Sequence, residues 1–481
     1  MNTLVFPAAK KTLWQMLGPS IILVALSLSG GELLLWPNLS ANYGLAIIWP
    51  IPIILGLQFI VNIEIERYVL VTGKSVEESL VGKTRWLAAV FGLTVVLALV
   101  WPAWISTSGN LVAHMAGFDG QVGKTVGLVV SIALLLLTVV IFRQRNTYQI
   151  LEKLSRISLI ITLLIIFAIV GIKFDWVVFV EGLKGFLRIG YIPKEILRFD
   201  FVAALAYGGV SGVLNLVQGE WVRDKGYGVN SLPEGKRGSV ELETSGSRIN
   251  YRRWFSLINQ EHFFIFVLAN VVSIFLLSYL GRILLPGGGV QGFQVLTAEI
   301  AVLNSTISYL GTIFALAGVI IFLMANITIL DAIGRLVYRM ITPFRKSNSK
   351  AFLATLTAPR ISEYSIYVGV LILLLSLVIP SFKQPFFLLV VSASLSAFTM
   401  WLYPPLLLKL NLQLPIAARP GILRSCLLLI TSLFYGAITL WALLAYVPGW
   451  LVWGLGIVVT GYQVMVLGRL WSKNKKLLIA V

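Results

Sequence analysis

Charge is what this sequence has least of. Only 12% of its 481 residues are Asp, Glu, Lys or Arg, against 58% hydrophobic, and the mean hydropathy is +0.90. That balance excludes a soluble domain of this size and leaves a polytopic helical membrane protein. Cysteine is nearly missing too. The single Cys426 lies inside an apolar run and excludes both an intramolecular disulfide and a thiolate metal cluster. Histidine occurs twice, at His114 and His262, each at the end of an apolar run and read as interfacial. Neither a phosphate-cradling loop nor a nucleophile–base constellation occurs, so the reading is that of a non-enzyme without a cofactor. The net charge of +18 would suggest nucleic acid in a soluble chain. Here the basic residues sit between apolar runs, where contact with anionic membrane lipids explains them and a nucleic-acid partner is not expected.

What is abundant is long apolar stretches. Hydropathy predicts about twelve spans, near 17–37, 44–66, 87–113, 124–142, 157–172, 200–219, 262–285, 306–331, 364–380, 386–408, 423–446 and 449–468. The run after Lys10 and Lys11 lacks a small-residue cleavage site and reads as a first span rather than a signal peptide. With the N-terminus inside, 30 of the 38 Lys and Arg fall on the inner side. The positive-inside rule then predicts both termini cytoplasmic, in a plasma (inner) membrane. Residues 173–199 read as an external amphipathic connector, and 220–255 as a flexible cytoplasmic linker. Trp36, Trp49 and Trp450 fit an interfacial aromatic belt.

Two spans are interrupted. The first carries Leu28-Ser29-Gly30-Gly31-Glu32 in its middle. Adjacent glycines weaken a helix, and a carboxylate at mid-membrane costs a few kcal/mol or more. The sixth carries Tyr207-Gly208-Gly209-Val210-Ser211-Gly212, with Asn215 one turn on. Breaks in spans one and six indicate an inverted repeat of five helices each, whose broken helices meet near the midplane and build a substrate site. The predicted units are 1–16, a first repeat 17–172, the connector 173–199, a second repeat 200–410 and a C-terminal pair of helices with a tail, 411–481. The expected ion site comprises Ser29, Gly30, Gly31, Glu32, Tyr207, Gly208, Gly209, Ser211 and Asn215, with Glu32 as charge and Ser29 as metal ligand. Backbone carbonyls around Leu28, Ser29 and Tyr207 to Gly209 are expected to be exposed there. Glu64 is a possible relay, Glu66 reads as an ion pair with Arg67, and Asp331 with Arg335.

These residues resemble the Nramp family of divalent-metal transporters, more closely a divergent Nramp-related branch. The first span opens Gly18-Pro19-Ser20, similar to the family's Gly-Pro-Gly. Arg67-Tyr68-Val69-Leu70-Val71-Thr72-Gly73-Lys74 resembles its Arg-Leu-Gly-x-Val-Thr-Gly-Lys turn. The resemblance covers roughly residues 17–410 and implies a LeuT-like five-plus-five core with two peripheral helices, carrying a divalent metal ion with a coupling proton or sodium.

Departures shape the expected chemistry. The family's metal-binding Asp-Pro-Gly-Asn falls on Ser29-Gly30-Gly31-Glu32, so the carboxylate moves about one turn. The family's Met-Pro-His-Asn of span six and the acids of span three have no counterpart in 200–219 or in Val100-Trp101-Pro102-Ala103-Trp104-Ile105. An all-oxygen site favours hard ions over soft ones. Two other readings stay open: an ion-coupled symporter of a small organic solute, against which Glu32 counts, and a non-transporting sensor or assembly protein.

Overall fold

Backbone groups in hydrocarbon must be satisfied within the chain, which makes helices of long apolar runs. The computed structural model describes residues 4–9, 18–81, 85–144, 146–210, 212–345, 355–379 and 384–474. Ten continuous helices among the described residues are long and apolar enough to cross a membrane. Spans 1 to 5 are Pro19–Tyr43, Leu45–Thr72, Ala88–Met115, Gly120–Phe142 and Thr147–Ile172. Spans 7 to 11 lie in Ser245–Leu284, Leu310–Thr342, Ala358–Leu375, Pro385–Asn411 and Ile422–Leu443. Span 6 is two pieces, Arg198–Tyr207 and Val213–Lys225, and span 12 is Gly449–Asn474. The protein is an all-α polytopic membrane protein.

The packing repeats itself. The first half of span 1, Pro19–Ser27, lies on span 5, and the first half of span 6 lies on span 10. The second half of span 1, Trp36–Tyr43, lies on span 7, and the second half of span 6 on span 2. Each of these contacts maps onto the other when spans 1–5 are exchanged for 6–10. The interrupted spans are thereby enclosed. Pro19–Tyr43 is buried along its apolar window, while spans 4 and 9 bury only 28% of theirs and leave Leu137, Leu371 and Leu374 exposed for lipid.

Three expectations need correction. Residues 220–255 are not a linker. Helix continues to Lys225, a turn of 3-10 helix follows at Gly228–Ser231 and a turn of α-helix at Glu234–Arg237, and a long helix begins at Ser245. Tyr227, Leu242, Tyr251 and Trp254 bury themselves there, and the segment holds the N-terminal residues. Val240–Glu241 pairs in parallel with Leu4–Val5, Phe6 N–H donates to Ser247 Oγ at 2.9 Å, and Trp254 Nε1 donates to Pro7 O at 3.0 Å. Aromatic residues scattered through a polar stretch gave it a core that average polarity hides. His262 is fully buried inside the long helix that leads into span 7, not interfacial. Trp36 is fully buried between spans rather than belted at the interface, whereas Trp450 is 75% exposed. The connector contains a helix, Trp176–Gly185, capped by Asp175, whose Oδ1 accepts from Val177 N at 2.8 Å. It turns Gly182 and Gly185 inward and leaves Trp176 and Val177 outside, as an amphipathic helix on a bilayer would.

Candidate ion-binding site

Span 1 accommodates its glycines without unwinding. Between two α-helical halves, Leu28–Leu35 is π-helix, and Trp36 N–H reaches back five residues to Gly31 O. A π-turn inserts an extra residue while keeping the backbone bonded, and such bulges favour functional sites. Carbonyls near Leu28 and Ser29 are therefore not freed by a gap, contrary to expectation. Gly30 lies within this segment. Gly31 lies directly against the backbone of Tyr207, so closely that a Cβ would overlap the Tyr207 carbonyl. The two interruptions touch at this residue.

The π-segment aims Glu32 into protein. Its carboxylate is fully buried. Oε1 accepts from Ser27 Oγ at 2.6 Å, and Oε2 accepts from Ser273 Oγ of span 7. One turn before Ser273, Asn270 is fully buried, and neither its Oδ1 nor its Nδ2 has a partner among the described residues. Ser29, the expected metal ligand, instead donates to Leu26 O at 2.6 Å. The hydroxyl one turn before Glu32 that the chain brings to it is Ser27.

Span 6 is a true gap. Its first helix closes with Gly208 N–H on Ala204 O at 2.6 Å, and then Gly209 and Gly212 take φ of +101° and +72°. Those values exclude most side chains. Side chains of neighbouring helices satisfy three of the freed groups, Gly208 O, Val210 N and Val210 O. Gln58 of span 2 accepts from Val210 N at 2.8 Å and donates to Gly208 O at 3.3 Å and Tyr435 Oη at 3.0 Å. Asn215 Nδ2 donates to Val210 O at 2.6 Å and to Asn62 Oδ1. The Tyr207 hydroxyl bonds Ser392 Oγ at 2.7 Å and Ser396 Oγ at 3.3 Å in span 10. Ser211 lies outside the described residues.

Between the interruptions is a cavity of about 10 Å³, lined by Ser27, Gly31, Trp104, Tyr207, Gly209 and Val210 among others. That is room for about one water. Glu32 and Asn215 are not on its wall; Ser27 connects the wall to Glu32. Larger recesses of about 740 and 690 Å³ open at opposite ends of the molecule. The first, on the predicted cytoplasmic side, is crossed by ion pairs: Arg335 with Asp224 at 2.6 Å and Asp331 at 2.8 Å, and Arg339 with Glu220 at 2.7 Å. The expected Asp331–Arg335 pair is among them. Beside this cluster, Glu77 is buried with both oxygens unpartnered among the described residues. Burial, and then the charge of Glu220, push its carboxyl up to about 8.

In span 2 the partner of Arg67 is the other acid than expected. Arg67 pairs with Glu64, Nε to Oε2 at 2.8 Å and Nη2 to Oε1 at 3.0 Å, not with Glu66. A spacing of three places Glu64 and Arg67 on one helix face, while neighbouring residues diverge. Asn411 and Arg424 also hold Glu64, so the expected relay residue is a clamped ion pair. Glu66 turns the other way, accepting from Gln218 Nε2 and lying 3.9 Å from His262 Nδ1. Among the described residues, no group of three or more His, Cys, Asp or Glu is arranged to hold a metal.

Sequence reasoning missed Ser27, Gln58, Asn62, Asn270 and Ser273. Gln58 and Asn62 sit at i and i+4 in an apolar span, a polar pair that should face protein. Asn270 and Ser273 repeat that signal at i and i+3 in span 7.

No family model matches this chain, and no curated protein matches it in sequence. Solved structures match it in shape. A histidine-to-alanine variant and a glutamate-to-glutamine variant of the Eremococcus coleocola manganese transporter each align with a TM-score of 0.65 at 14% identity, covering 97% of this chain and 96% of theirs. The same transporter bound to an aromatic bis-isothiourea compound aligns at 0.63 and 13% identity, over 96% of this chain and 95% of that one. The fold is that of this transporter. It is the LeuT-like five-plus-five architecture, with interrupted spans 1 and 6 packed against each other at its centre.

Proposed function

We propose that the protein is a secondary transporter that moves a cation, first of all a divalent metal ion, across the membrane by alternating access. One observation carries the reading: Glu32 is fully buried at mid-span, beside the contact between the two interrupted helices. A carboxylate at such a place is costly unless a cation or a proton compensates it. Glu32 supplies the charge. Ser27 and Ser273 touch it, and unpartnered Asn270 adds an amide oxygen within a turn. Gly31 lets the two backbones meet, and Gln58 and Asn215 keep the gap in span 6 rigid.

The donor set is oxygen only, which suits Mg²⁺ or Ca²⁺ at least as well as Mn²⁺ or Cd²⁺. One carboxylate is a small counter-charge for a bare divalent ion, which favours a partly hydrated one. The membrane is the plasma membrane with both termini cytoplasmic, supported by the 30 of 38 basic residues on that side. With Cys426 replaced by Ser, single cysteines placed in 226–244 should label from the cytoplasm only.

The test is a flux panel in proteoliposomes with Mg²⁺, Ca²⁺, Mn²⁺, Cd²⁺ and Na⁺, with and without imposed proton or sodium gradients. Divalent uptake including Mg²⁺ or Ca²⁺ is expected. Flux of no cation in any arm would contradict the proposal and put the organic-solute symporter first.

A further inference from the structure

A second polar cluster lies between span 2, the second half of span 6 and the start of span 7, away from Glu32. It has two rungs. Asn215 meets Asn62, and one turn further along both helices Gln218 meets Glu66. All four residues are buried, as is His262 beside them.

Donor and acceptor identities run through this cluster in one direction. Val210 O can only accept, so the Asn215 group that reaches it at 2.6 Å is the amide nitrogen. That nitrogen also donates to Asn62 Oδ1. Asn62 must then present Nδ2–H to His262 Nε2, 2.8 Å away. Nε2 is consequently a lone pair. The ring proton is on Nδ1, facing Ser20 Oγ at 3.0 Å and Glu66 Oε1 at 3.9 Å. A second proton on His262 would set N–H against N–H at Asn62. The gap in span 6 thus keeps His262 neutral.

The lower rung has one bond where it could have two. Gln218 Nε2 donates to Glu66 Oε1, while Glu66 Oε2 and Gln218 Oε1, both buried acceptors, have no partner among the described residues. A carboxylic acid and a primary amide pair reciprocally, N–H to O and O–H to O. A single proton on Glu66 Oε2 supplies the missing donor and satisfies both atoms at once.

We propose that Glu66 is a proton-binding site whose proton is shared with Gln218 Oε1. The groups facing it agree. Among the described residues span 6 faces it with the neutral Gln218, and span 7 with His262, held neutral, and with a second buried carboxyl, Glu261, which accepts from Gly18 N and Tyr227 Oη, both at 3.4 Å. Arg67 is spent on Glu64 at the opposite face of span 2, and Arg424 sits over Glu64 as well. Protonated Glu66 ties span 2 to the inner half of span 6. Any movement of Val210 that releases Asn215 and Asn62 frees His262 Nε2 to take up a second proton, and the imidazolium so formed, its Nδ1 3.9 Å from Glu66 Oε1, favours release of the Glu66 proton. The site itself stands on packing; its link to a transport cycle rests on the cation-carrier reading.

Infrared difference spectroscopy of the purified full-length protein at neutral pH tests this. Glu66→Gln can form the same reciprocal pair as an amide, so the fold is retained. Subtracting its spectrum from wild type should reveal one protonated-carboxyl band; loss of carboxylate bands alone would overturn the proposal. In Gln218→Met the band should persist but move to the position of a carboxyl without a hydrogen bond. A band that does not move would overturn the sharing. In Asn215→Ala the band should give way to carboxylate as His262 Nε2, no longer blocked by Asn62, becomes protonated, and its persistence would overturn the lock. No cation is needed for these readouts, so their failure is separate from failure of the flux panel.

Discussion

Spans 1 and 6 solve one problem in two ways. Both must depart from a regular helix at mid-membrane, and both use paired glycines to do so. Span 1 widens into a π-helix, keeps its backbone bonded, and moves its polar demand to one side chain, Glu32. Span 6 opens a gap and borrows its missing bonds from Gln58 and Asn215. On the function proposed above, the difference divides the roles. Span 1 keeps its backbone bonded and presents Glu32 as the charge for a cation, while span 6, with Gly208 O, Val210 N and Val210 O held by side chains, forms a wall. The two touch at Gly31 and Tyr207, where neither has space to spare.

The largest effect should come from filling that contact. Gly31→Val drives a branched side chain into the Tyr207 carbonyl, and overpacking at such a point should cost more than about 3 kcal/mol. Little folded protein is expected by size-exclusion chromatography in detergent; a wild-type melting temperature would mean that the spans do not meet there. Gln58→Leu comes next. It leaves Val210 N–H and Gly208 C=O buried without partners, for about 3 kcal/mol in total. Thermal melts should show the loss, and a Ser29→Ala control in span 1, where only a hydroxyl bond to Leu26 O is lost, should fall by about 1 kcal/mol or less. Equal losses would erase the distinction between a self-bonded and a borrowed backbone.

A smaller effect concerns the inner end of span 6, which is anchored by charge at Glu220. Glu77 presses on that anchor, and its carboxyl is pushed up to about 8 by burial and then by Glu220. Between the ordinary carboxylate range and about 8 the unfolded chain is ionised while the folded protein holds the proton. Folded stability is therefore lost as pH rises through that window and is unaffected below it. Glu77→Gln, neutral throughout, should melt higher than wild type near pH 8 and converge with it in acid. A gap that widened in acid would reverse the assignment.

The sequence already displayed both interruptions, because Gly30-Gly31 beside Glu32, and Gly208-Gly209 followed by Gly212, are costly features in a membrane and stand out for that reason. It did not display the partners. Ser273 and Gln58 look like ordinary polar residues in apolar runs until folding brings spans 7 and 2 beside the interruptions. The assignment of Arg67 to Glu64 over Glu66 was readable from helical spacing and was hidden by adjacency in the chain. Residues 220–255 misled in the other sense: their polarity is real, but Tyr227, Tyr251 and Trp254 were enough to fold them.

The central claim is that Glu32, held by Ser27 and Ser273, binds the transported cation. Calorimetry of the purified protein with Mg²⁺, Ca²⁺, Mn²⁺ and Cd²⁺, comparing wild type with Glu32→Gln, tests it most directly. The account predicts binding of a hard divalent ion to wild type and its loss in the variant, with the fold intact by melting temperature. Unchanged binding in Glu32→Gln, or tight Cd²⁺ binding without any response to Mg²⁺ or Ca²⁺, would contradict it.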